Sequence, residues 1–241
     1  MKTGLALVVY GKAYHKHQAL QRLKSAFLGA DCLLINNHSS VMSGEIKGHN
    51  QQYEFGAYQQ AMERFVGYDR VLLLNDTAFD SHAFWLWLSL WQRAWNQKTI
   101  EGLKVLGDLR FDGTTIQERT NPFAASWCMM ALNRSSVEVL GNTLATVLSQ
   151  QPQSMSSAYE AFLDDWLSGR TSRGWHGEAS AENRARKRQC IVWEHAWSRA
   201  LNDAGVELHS FRSFGWFRHF LARLFDRLKN RYRAFRRLIG I

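Results

Sequence analysis

Unbroken apolar runs alternate along the chain with stretches whose apolar residues recur every three or four positions. Residues 5–10 (Leu-Ala-Leu-Val-Val-Tyr) are the first run and end at Gly11. A run without polar alternation predicts a strand buried on both faces, as in parallel sheets. Residues 15–28 carry Ala19, Leu20, Leu23, Ala26 and Phe27 at helical spacing and stop at Gly29. Residues 32–35 repeat the strand pattern and run out into Asn36-Asn37-His38-Ser39-Ser40, a cluster of turn formers. A loop is expected over 43–52, a helix over 54–66 ended by Gly67, and a further buried strand over 70–74 that opens into Asn75-Asp76-Thr77. An aromatic helix (83–95), a strand (104–109), an apolar β-compatible segment (123–132) and helices at 135–148 and 155–167 follow. Residues 168–188 hold three Gly, five Arg and one Lys with almost nothing apolar except Trp175, which predicts a mobile loop. A helix at 191–204 stops at Gly205. This alternation predicts an α/β fold, a Rossmann-like and mostly parallel sheet flanked by helices, whose ligands bind at the carboxyl ends of the strands.

With 241 residues and 46% hydrophobic content the chain has enough material for a sizeable core, which removes disordered and fibrous classes. The formal charge of +9 is uneven. Residues 212–241 carry nine Lys/Arg against Asp226 alone, so this segment is +8 and residues 1–211 are close to neutral. We therefore divide the chain into a body, 1–211, and a basic tail, 212–241. Three cysteines, an odd number without CxxC spacing, argue against a disulfide framework and a four-ligand zinc site, and no export signal or membrane-length apolar stretch is evident. A cytoplasmic location fits these features.

The sharpest candidate for chemistry is Asp76. A carboxylate at the end of a buried strand can hold a divalent cation whose other ligands are diphosphate oxygens and water. The alternative is that Asp76 caps the helix that follows. Arg170, Arg173, Arg184, Arg186, Lys187 and Arg188 would let the 168–188 loop close over a diphosphate, since arginine grips phosphate in a fork, or they are a solvated charge run. His15, His17, His38 and His49 form no spaced metal pair.

Residues 49–79 read His-Asn-x-x-Tyr-Glu-Phe-Gly-Ala-Tyr, then a helix, then Tyr-Asp-Arg-Val-Leu-Leu-Leu-Asn-Asp-Thr. This resembles the glycosyltransferases of the rhamnan-synthesis F type and, more distantly, is similar to glycosyltransferase family 2. The resemblance covers roughly the first 135 residues. It implies a GT-A type fold, a nucleotide-diphosphate-sugar donor, and a glycan or lipid-linked acceptor in cell-surface polysaccharide or lipopolysaccharide synthesis. On these positions Val9, Tyr10 and Gly11 end the strand that meets the nucleotide, and Asn37 stands where relatives often have a base-contacting acid. Asn75 and Asp76 fall on the diphosphate position, with Asp76 the ligand of a Mn or Mg ion. The triplet carries one carboxylate where the family's Asp-x-Asp has two, and Asp80 is a further acid nearby.

The segment Trp193-Glu194-His195-Ala196-Trp197 through Gly205 resembles the Glu-Asp helix of family 2, with Glu194 falling on the catalytic acid. Inverting transfer needs a carboxylate to take the proton of the acceptor hydroxyl. Glu194 is the candidate base, with Asp164 and Asp165 as rivals and Asp108 a third. Each could equally be an ordinary helix or surface acid.

From Phe217 onward, ten apolar residues fall within an arc of roughly 140°, with Arg and Lys on the rest and only Arg231 intruding on the apolar side. A basic face opposite Phe and Leu predicts a helix lying on an anionic membrane surface. Packing on the body, dimerisation or nucleic-acid binding are the alternatives. The combined expectation is a glycosyltransferase peripheral to the inner face of the cell membrane, with no nucleic-acid partner and room for a homodimer or biosynthetic complex. The alternative is a catalytically silent relative that binds nucleotide sugar or a partner and is anchored by its tail.

Overall fold

The computed structural model describes residues 1–10, 13–38, 41, 43–49, 52–80, 83–97, 101–110, 116, 118, 122–150, 155–168 and 180–238. Gly11, Arg170 and Arg173 lie outside the described residues, as do the side chains of His15, His17 and Asp80. The chain runs β1 (Thr3–Val9), α1 (Ala13–Ala26), β2 (Asp31–Asn36), β3 (Ile46–Lys47), α2 (Tyr53–Arg64), β4 (Arg70–Asn75) and α3 (Thr77–Asp80). It continues through α4 (Phe84–Trp95), β5 (Lys104–Arg110), β6 (Phe123–Ala131), α5 (Arg134–Ser149), α6 (Ser157–Leu167) and α7 (Ala181–Asp203). Last come β7 (Glu207–Ser210), a 3-10 turn (Phe211–Phe214) and α8 (Trp216–Leu238).

The strands form one mixed sheet in the order β3-β2-β1-β4-β6-β5-β7. Only β6 runs against its neighbours, being antiparallel to β4 and to β5, while the other pairs are parallel. The fold is thus α/β with a mostly parallel sheet flanked by helices. Alternation within the buried runs explains the layering. Leu5, Leu7, Val9, Leu72 and Leu74 point into a core shared with α1 and the tryptophans of α4. Ala6, Val8, Val71 and Leu73 point the other way, into a core made with α2, α5 and α7. Among the described residues no helix is long and apolar enough to cross a membrane.

Two expectations need correction. Residues 181–188, read as part of a loop, are the first two turns of α7. The Ser180 side chain accepts from the Asn183 N–H at the helix start, and Glu182 lies in the first turn, where the helix dipole favours an acid. The short strands β3 and β7 were not foreseen, because two and four residues are too few to set up a period.

Candidate functional site

β1 pairs with β2 on one side and β4 on the other, so the direction of strand order reverses at β1. Ligands of open α/β sheets bind in the crevice that opens beyond the carboxyl ends of the strands at such a reversal. Register places Val9 beside Asn36 and Val8 beside Asn75, which brings Tyr10, Asn37 and Asp76, each just past its strand, to one rim. Here Asp76 Oδ2 accepts from the Tyr10 N–H at 2.8 Å, tying the end of β4 to the end of β1. The Asn75 side chain accepts from the Thr77 N–H at 3.1 Å and so holds the turn into α3.

Asn37 is buried and donates from Nδ2 to the Tyr10 hydroxyl (2.9 Å) and to the Tyr53 carbonyl (2.8 Å). Tyr53, which opens α2, is the one non-glycine at positive φ among the described residues, at 54°. That left-handed backbone is uncommon for a bulky side chain, and such strain collects at ligand sites. Between the rings of Tyr10 and Tyr53 lies the Arg186 guanidinium, 4.6 and 4.7 Å from the two centroids. An arginine expected on a loop is therefore carried by α7 onto the rim of the sheet, where it stacks by cation–π attraction. Burial first, and then the nearby Glu54 carboxylate, push the Tyr10 hydroxyl far above its ordinary range, so it stays a neutral hydrogen-bonding group.

Behind the rim, two buried carboxylates from different helices meet at Ser126 of β6. Glu194 Oε1 accepts from both the Ser126 N–H and its hydroxyl, each at 2.7 Å. Glu54 Oε1 stands 3.3 Å from the same hydroxyl, and the Tyr58 hydroxyl donates to the Ser126 carbonyl at 2.8 Å. Burial alone would raise the Glu194 pKa. The Lys187 and Arg110 charges and the two Ser126 hydrogen bonds more than offset it and hold the group below its ordinary value. Because β4 and β6 are antiparallel with Leu74 beside Cys128, Ser126 lies two residues further along, level with Asp76. The sheet thus carries Glu194 to the same end as Asp76, although only 7% of Glu194 is exposed.

The remaining candidates are held by other partners. Asp164 is on the exposed face of α6 and pairs with Arg188 of α7 at 2.5 Å. Asp165, also exposed, uses its carbonyl to accept from the Ser168 hydroxyl and N–H. Asp108 is buried within β5, gripped by Arg223 of α8 at 2.9 and 2.8 Å and by the Trp127 indole N–H at 3.0 Å. Ser126, Glu54 and Tyr53 were not singled out from sequence as site residues. The signal available for Glu54 was an acid on the same helical face as Phe55, Tyr58, Ala61 and Met62, all of which are buried with it.

Among the described residues no three His, Cys, Asp or Glu side chains come together as a metal cage. Asp76 is the one carboxylate that the described residues bring to this rim, and a single carboxylate suits a Mg²⁺ ion that keeps waters and phosphate oxygens as its other ligands. Compared with models of protein families and with curated proteins, the chain matches none.

Proposed function

We propose that this chain is a glycosyltransferase with a GT-A type fold that moves a sugar from a nucleotide-diphosphate donor to a glycan or lipid-linked acceptor. The observation that carries the reading is the Tyr10 N–H to Asp76 hydrogen bond at the point where strand order reverses, with Asn37 on the same rim. Three positions separated by up to 66 residues, each implicated by the resemblance to rhamnan-synthesis F type and family 2 enzymes, converge there. Arg186, held against the rings of Tyr10 and Tyr53, supplies a fork suited to the diphosphate. Asp76 would hold a Mn or Mg ion, which when bound neutralises charge on the departing diphosphate. Glu194, kept in its charged form by Lys187 and Arg110, is the candidate to take the proton of the acceptor hydroxyl.

A second reading has its own observation. The same two bonds to Ser126 enclose Glu194 and account for it as a brace between α7 and β6, so a relative that binds the donor without transferring sugar is the competing proposal. Calorimetric titration with nucleoside diphosphates, with and without Mn²⁺, combined with an assay of donor hydrolysis, separates the two. The transferase reading expects metal-enhanced binding and slow hydrolysis, both falling at least about tenfold in Asp76→Asn. Hydrolysis retained in that variant removes Asp76 from the mechanism. Binding without any hydrolysis in the unaltered protein favours the silent relative.

A further inference from the structure

A helix on the surface of a globular protein ordinarily turns its apolar stripe inward and its charges outward. α8 does largely the reverse, although Leu221 of its stripe still packs against the core. The side facing the body carries His219, Ala222, Arg223 and Asp226. Ala222 is fully buried, Arg223 grips Asp108 of β5, Asp226 accepts from the Trp87 indole N–H at 3.1 Å, and the His219 ring meets Trp87 edge to face at 5.4 Å. At 100° per residue, Trp216, Phe217, Phe220, Leu224, Leu228 and Tyr232 fall on the opposite side, within an arc of roughly 160°. They are between 39% and 66% exposed, and together with Phe225 they make seven of the eleven large hydrophobic side chains exposed among the described residues. Arg227 and Arg231 are exposed within that arc. Polar anchors hold the helix down so that its apolar face points away from the protein.

We infer that this outward face of α8 is a preformed docking surface for an anionic lipid bilayer, in which the aromatic and leucine side chains enter the interface and the arginines meet headgroup phosphates. Charge chooses the occupant. Residues 212–241 carry a net +8, so a second copy packed on the same face would bring two such segments together, whereas an anionic leaflet attracts them. A face made chiefly of Trp, Phe, Leu and Tyr suits the boundary between headgroups and acyl chains, where amphipathic helices bury their apolar sides. None of the residues on this face belongs to the rim of the sheet, and the inference stands whether or not the chain transfers sugar.

The test is flotation of the full chain with vesicles of phosphatidylcholine alone and of phosphatidylcholine with about 30% phosphatidylglycerol. Binding is expected to the anionic vesicles only and to weaken as salt rises. Arg227→Gln with Arg231→Gln should lower it on the order of tenfold, and Phe220→Ser with Leu224→Ser by at least about as much. These side chains project away from the core, and circular dichroism checks that the variants stay folded. Brominated lipid should quench a fluorescence component that disappears in Trp216→Phe. The inference is overturned by absence of binding to anionic vesicles at low salt, by binding that both double variants retain, or by quenching unchanged in Trp216→Phe. It is equally overturned by a dimer that buries Phe220 and is lost in Phe220→Ser, or by preference for a DNA duplex over the vesicles.

Discussion

Gly48 and Asn37 meet so closely that a methyl group has no room between them: a Cβ at residue 48 would stand 1.8 Å from Asn37 Oδ1. Asn37 cannot step aside without releasing the Tyr10 hydroxyl and the Tyr53 carbonyl. Gly48→Ala is therefore expected to cost about 1–3 kcal/mol in urea denaturation and to weaken any ligand bound at the rim, although residue 48 was read from sequence only as part of a loop. Glu194 is the second test at this scale. Its pKa is lower in the folded protein than the ordinary 4.5, so its contribution to stability is present above that value and is lost as pH falls through the folded one. Glu194→Gln keeps an acceptor for Ser126 but drops the charge that faces Lys187 and Arg110. A loss of about 1–2 kcal/mol at pH 7 is expected, together with a shallower decline of stability below about pH 5. Asp76 was legible in the sequence because it follows a recognisable strand, and Tyr10 and Asn37 through the resemblance alone. Ser126 and Glu54 were not, because a hydroxyl on one strand and an acid on a distant helix acquire a partner only through the register of β4 on β6 and the packing of α2 and α7 on the sheet.

Helices α7 and α8 show how far periodicity reads at the scale of an element. The first turns of α7 have no apolar stripe to detect, yet Ala, Glu, Arg and Lys are good helix formers and Ser180 caps the start. Capping carried the information that the hydrophobic pattern lacked. In α8 the stripe was plain, but amphipathicity is symmetric as to which face turns inward. The Asp108 carboxylate, buried at the foot of the helix, decided it. Arg223→Met should leave that carboxylate only the more distant Arg110, 3.7 Å away, and cost about 2 kcal/mol, less than a fully enclosed pair because Arg223 is itself 31% exposed. Faster amide exchange along residues 216–229, with the exchange of β1 and β4 unchanged, is the readout.

At the scale of the molecule the sheet is built from the two-sided apolar runs that the sequence displays, and its burial makes a chemical prediction. Cys128 and Cys190 are 0% and 3% exposed, whereas Cys32 is half-buried. A thiol reagent should modify Cys32 alone in the native protein, slowly at neutral pH because burial raises its pKa, and all three thiols after unfolding. Two or more thiols reacting at the native rate would contradict the layering described above. The sequence by itself determined the longer strands and most of the helices, that most of those strands are buried on both faces, and where the charge is concentrated, because these follow from local spacing and composition. Only the tertiary structure decided that β6 enters against its neighbours, that strand order reverses at β1 so that Tyr10 meets Asp76, and that the apolar side of α8 faces outward. Strand pairing and helix orientation depend on contacts between residues far apart in the chain, and no periodicity records them.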